Sequence, residues 1–93
     1  MKIVLLTIEV FLDGCQSLKE KRHRIRKFRD IWGRKQNVAV IESARQDETQ
    51  FCEWSVVVVA DSQKLLDQSV AMIETELSVE LDGTIVRVQR ETL

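Results

Sequence analysis

Phe51-Cys52-Glu53-Trp54-Ser55-Val56-Val57-Val58-Val59-Ala60 is the stretch that decides the fold. Its four consecutive valines are β-branched and apolar at odd and even positions alike, so a strand here offers oil on both faces. Such a strand belongs in the middle of a sheet. Immediately after it, Asp61 or Ser62 can cap a helix. Leu66, Val70, Ile73 and Leu77 follow at spacings of four, three and four, giving that helix a core stripe to about Ser78. Asp82-Gly83 then turns the chain into a last strand, Thr84 to Arg90. Upstream, the polar run from Arg45 to Gln50 reads as a hairpin loop, and Asn37-Val38-Ala39-Val40-Ile41-Glu42 as the strand that enters it.

The chain begins with another strand, residues 2–12 (KIVLLTIEVFL), which ends at the turn signal Asp13-Gly14. Ser17-Leu18-Lys19-Glu20 then fits a capping box: the Ser17 hydroxyl can accept an orphan amide proton while Glu20 reaches back. A helix runs from there to about Gly33, taken as its C-terminal glycine. At 100° per residue, Leu18, Ile25, Phe28 and Trp32 share an arc of about 80°, with Ile31 on its flank. Lys19, His23, Arg26, Lys27, Asp30 and Arg34 fall on the opposite side, facing solvent.

The order strand-helix-strand-strand-helix-strand predicts a single α+β domain over residues 1–93, the ferredoxin-like βαββαβ arrangement. Right-handed crossovers give a four-stranded antiparallel sheet with both helices on one face and the first and third strands in the centre. Val4, Leu6, Ile8, Val10 and Leu12 then face the helices, as do Cys52, Trp54, Val56, Val58 and Ala60. Ile3, Leu5, Thr7, Glu9 and Phe11 face away, beside Phe51, Glu53, Ser55, Val57 and Val59. That open face is apolar enough to invite a homodimer, the alternative being a sheet left wet.

At 93 residues and 44% apolar content, one core can form without staples. Proline is absent and there are three glycines, so no linker or low-complexity tract exists. The two cysteines, Cys15 and Cys52, make neither a zinc pattern nor a disulfide framework and read as small buried hydrophobes in a reducing compartment. They fall at one end of the sheet, so a redox pair is the alternative. Residues 3–12 are interrupted by Glu9 and lack a cleavage site. A membrane span needs ~20 apolar residues, so a cytoplasmic protein is expected, with no membrane partner.

Charge is the remaining signal. Nine of the fourteen lysines and arginines lie between Lys19 and Lys35 against two acids, a net of +7, while five cations and thirteen acids leave the rest at −8. A one-signed surface attracts the opposite sign. Lys19, Lys21, Arg22, Arg26, Lys27 and Arg34 are the candidate nucleic-acid-binding residues, with Arg24 and Arg29 on the same helix. Lys21 and Arg22 also sit near the helix N-terminus, where unpaired amides favour anions. Structured RNA or a ribosomal particle is the expected partner, recognised by shape and phosphate. Two alternatives stay open: an acidic protein partner, and a helix face that is simply solvated. The overall net charge of −1 argues against bulk basicity. Base stacking on the open sheet face is disfavoured, because Glu9 and Glu53 beside Phe11 and Phe51 repel phosphate.

Enzyme chemistry finds few residues to work with. His23 is the only histidine, placed among cations, and there is no tyrosine. No spacing suggests metal ligands, and no cofactor motif occurs. Leu12-Asp13-Gly14-Cys15-Gln16 lacks the arginine-bearing phosphate loop of acylphosphatases, which share this strand and helix order. Asp13, Asp47, Glu48 and Asp82 gather at one end of the sheet.

Ser17-Leu18-Lys19-Glu20-Lys21-Arg22, then Asn37 to Glu42, then Gln46-Asp47 before the valine-rich strand, resemble the YlxP-like family of bacterial proteins over nearly the whole chain. The resemblance implies a ferredoxin-like fold and adds no established activity, only an association with ribosome-maturation and translation factors rather than a mechanism. The chain departs from the family pattern at Gln16, Thr49 and Ser55, where histidine, tryptophan and glycine are usual.

Overall fold

A computed structural model of the protein describes residues 1–80 and 83–93 and orders them as β1 (Lys2–Phe11), α1 (Leu18–Gly33), β2 (Val38–Ala44), β3 (Phe51–Ala60), α2 (Gln63–Glu80) and β4 (Thr84–Thr92). The four strands form one antiparallel sheet in the order β2-β3-β1-β4, the expected α+β arrangement with β1 and β3 central. Register runs without a break from Lys2 opposite Ala60 to Phe11 opposite Phe51. Alternation then does the rest: Val4, Leu6, Ile8 and Val10 are fully buried with Cys52, Trp54, Val56 and Val58. Ile25, Phe28 and Trp32 of α1 and Leu66, Val70, Ile73 and Leu77 of α2 close over them. Phe28, Trp32 and Trp54 meet as a three-ring cluster, Trp32 edge-on to Trp54 at 5.1 Å between centroids and Phe28 6.0 Å from each.

The turns follow their residues. Gly14 takes φ +71, the left-handed region that the Asp13-Gly14 turn needs. Ser62 Oγ accepts the Leu65 N–H at 3.3 Å and so caps α2. The turn expected at Asp82-Gly83 involves Asp82, which lies outside the described residues. β4 runs to Thr92, two residues past expectation, because its pairing with β1 continues through the Leu93 N–H to the Ile3 carbonyl.

One capping expectation is corrected. Gly33 is the last residue of α1, not a left-handed cap. Arg34 is the C-cap with right-handed backbone (φ −87, ψ −13), and its N–H donates to the Ile31 carbonyl. Lys35 N–H reaches Trp32 O at 3.1 Å, so the helix ends by tightening its last turn and glycine's freedom goes unused.

Candidate anion-binding face on the first helix

Ser17 and Glu20 build the entry to α1. Ser17 is extended (φ −149, ψ 159), and its Oγ accepts the Glu20 N–H at 3.1 Å. The Glu20 carboxylate reaches back to the Gln16 N–H at 3.0 Å. Two orphan donors are thereby satisfied, and the helix starts at a fixed angle over the sheet. Gln16 contributes its backbone alone to this cap.

The third residue of that motif is not where the charge pattern put it. Lys21 was expected on the phosphate-binding face, and the structure buries it at 2% exposure. Its Nζ lies 3.0 Å from Glu42 Oε2 and donates to the carbonyls of Arg45 at 2.7 Å and Glu48 at 2.8 Å. All three ammonium protons have acceptors, so Lys21 fastens α1 to the β2–β3 hairpin and has none left for a ligand. The reason is periodicity. Lys21, Ile25, Phe28 and Trp32 are spaced four, three and four, which is the core stripe itself.

The other expected cations divide into two groups. Lys27 forms an exposed ion pair with Glu80 of α2 at 3.3 Å, and Lys35 pairs with Glu76 of α2 at 3.0 Å. Arg24 Nη1 donates to the Asp13 carbonyl at 2.8 Å. On the other side of the helix, Lys19, Arg22, Arg26 and Arg29 are all exposed and make no ion pair with a carboxylate among the described residues. At 100° per residue these four share an arc of about 80° and span about 15 Å of helix axis. Arg34 is likewise exposed and unpaired at the helix end. Arg29, three residues after Arg26, completes this stripe.

A shallow concavity of about 480 Å³ adjoins the stripe, lined by His23, Arg24, Arg26, Lys27, Phe28, Asp30 and Glu80. Asp30 and Glu80 make its floor mixed in sign, so the stripe beyond it is the more cationic surface. A second groove of about 480 Å³ lies at the far end of the molecule between Asn37, Val59, Leu65, Ser69 and Met72. It carries no cluster of cations.

The cysteines are separate. Cys15 Sγ donates to the Ser17 carbonyl at 3.6 Å and Cys52 Sγ to Glu42 Oε2 at 3.4 Å, and both are free thiols in the core. Burial first, and then the Glu42 carboxylate beside it, push the Cys52 thiol far above its ordinary range. A neutral buried thiol is a poor nucleophile.

On the opposite side of the sheet, Arg45 holds φ 62 at the hairpin entrance. Its guanidinium lies 2.9 Å from Glu9 and stacks 4.8 Å above the Phe51 ring, while its carbonyl serves Lys21. Phe11 and Phe51 pair at 5.3 Å with Glu9 and Glu53 next along their strands, as the sequence places them, but Arg45, absent from that expectation, covers Phe51 and pairs with Glu9. Among the described residues no group of three or more His, Cys, Asp and Glu side chains is placed to hold a metal, and no helix is long and apolar enough to cross a membrane.

No curated protein is significantly similar to the chain. The sequence pattern of one family matches residues 3–90, almost the full length. The chain therefore belongs to the family described as protein of unknown function (DUF503).

Proposed function

We propose that the protein is a non-enzymatic binding module whose first helix takes up the phosphates of a structured RNA, free or within a ribosomal particle. The observation that carries this reading is the stripe Lys19, Arg22, Arg26 and Arg29, continued by Arg34, which keeps its charges free while the acids of the same molecule neutralise Lys21, Lys27 and Lys35. Exposed guanidinium forks suit phosphate oxygens bidentately. The aromatic rings of α1 are buried, so the stripe can read backbone and shape but not bases. The Ser17–Arg22 run that resembles the YlxP-like proteins acts in this reading as the frame that aims the stripe, through its cap and the Lys21 anchor.

The test is binding of a labelled ribosomal RNA fragment at two ionic strengths. Four or five phosphate contacts should give a log–log salt slope of roughly three to four. Arg22→Glu/Arg26→Glu/Arg29→Glu should abolish binding while the melting temperature holds. Salt-independent binding, an unaffected triple variant, or preference for an acidic polypeptide over RNA would each overturn the reading.

A further inference from the structure

Among the described residues no helix covers the other side of the sheet, where Arg45 reaches over Glu9 and Phe51, and its side chains are arranged in bands across the strands. By register, Ile3 lies opposite Val59, and Leu5 opposite Val57, which lies opposite Ala39. Ile41, next along β2, is 65% exposed. Ile3, Val59, Leu5, Val57 and Ala39 make one apolar band over the first half of the face, edged on β4 by Glu91 opposite Leu5, and Ile41 falls in the next row, opposite Ser55. Thr7 opposite Ser55 forms a narrow hydroxyl band. Beyond it, Glu53, Glu9 and Arg87 lie side by side on β3, β1 and β4, with the Arg45 guanidinium on Glu9.

The charged band is incomplete within one chain. Glu9 and Glu53 are directly opposed, an unfavourable cross-strand pair. Arg45 answers Glu9, but neither Glu53 nor Arg87 has an ion-pair partner among the described residues.

We propose that this face is the interface of a two-fold dimer, in which two copies of the chain stack sheet on sheet about an axis parallel to the strands and between β1 and β3. That axis brings each band onto the same band of the other copy. Val57 and Val59 of one copy then meet Leu5 and Ile3 of the other, and hydroxyls meet hydroxyls. The same axis sets Glu53 of one copy over Glu9 of the other, and the Arg45 and Arg87 guanidiniums of both copies, four beside four carboxylates, keep the enclosed charge at zero. An axis across the strands at Thr7 and Ser55 would instead set Glu9 and Glu53 on Leu5 and Val57, burying carboxylates against oil. The self-matching of the apolar and hydroxyl bands is what a two-fold interface requires.

The area suffices. Four strands about 4.8 Å apart, rising about 3.3 Å per residue over some ten residues, present about 600 Å² per copy and about 1,200 Å² in all, the lower bound of stable interfaces. The proposal is independent of RNA binding, since α1 lies on the other side of the sheet.

Analytical ultracentrifugation over a concentration series decides it. The wild-type chain should sediment at twice its 10.8 kDa mass. Leu5→Glu, and Ile41→Glu at a site exposed enough to leave folding intact, should shift the species to monomer with an unchanged circular dichroism spectrum. Met72→Glu, on the outer surface of α2, should leave the dimer in place. A wild-type monomer at every concentration would overturn the proposal, as would a dimer that survives Ile41→Glu or is lost through Met72→Glu.

Discussion

The Lys21 ammonium meets the Glu42 carboxylate at 3.0 Å directly beneath the most basic surface of the molecule. A lysine inside that helix thus acts as mortar, while its neighbours Lys19 and Arg22 face outward. Lys21→Met should remove the ion pair and strand two backbone carbonyls. Losing one partner of a buried pair costs about 3–5 kcal/mol, and the partial exposure of Glu42 points to the lower end. Urea unfolding should register about 3 kcal/mol. Lys19→Met should leave the midpoint unmoved.

Thiol chemistry gives an independent reading of the core. Cys15 and Cys52 are both buried and bonded to different oxygens. Ellman's reagent at neutral pH should titrate neither in the native protein and both in denaturant. Mild oxidant should leave gel mobility unchanged, closing the redox-pair alternative. Rapid labelling of native Cys52 would contradict the neutral, enclosed thiol.

Asp67 supplies a pH signature. The Arg90 guanidinium, donating at 2.6 Å, and then Gln63 hold its carboxyl below the ordinary 3.8. A depressed folded-state pKa contributes stability that is present above 3.8 and lost as pH falls through the lower folded value. The melting temperatures of wild type and Asp67→Asn should therefore differ at pH 6, and the gap should narrow progressively as pH falls below 3.8. A gap that persists at acid pH would rule this out.

Gly83 opens the way into β4 without room for a side chain. A Cβ there would lie 2.5 Å from the Phe11 carbonyl oxygen, a backbone atom that cannot swing aside. Gly83→Ala should force the ends of β1 and β4 apart and cost about 1–3 kcal/mol. Gly33→Ala meets nothing within 4 Å and takes a helical backbone, so it should stabilise α1 by up to about 1 kcal/mol. The pair of melts separates the two glycines.

Arg26 and Lys27 show how far the sequence carries. Helical period alone placed both outside, and both are exposed. It could not see that Glu80, fifty-three residues on, would pair with Lys27 and leave Arg26 alone. Lys21 is the instructive error. Its position four before Ile25 and seven before Phe28 pointed inward, but charge was read as exposure and overrode the period. Burial was possible because Glu42 and two loop carbonyls converge there, a long-range arrangement invisible in a linear string. The inward faces of the central strands were legible, since a period of two leaves no freedom once β3 is central, whereas the ends of β2 and β4 were not.

Arg45 touches both layers at once, its carbonyl turned to the helix side and its guanidinium to the bare side of the sheet. The hairpin tip is consequently not the permissive loop that its polar residues advertise. Adding or deleting a single residue there would throw both attachments out of step. Peptide tags and reporter fusions inserted between residues 45 and 50 should loosen α1 from its seat.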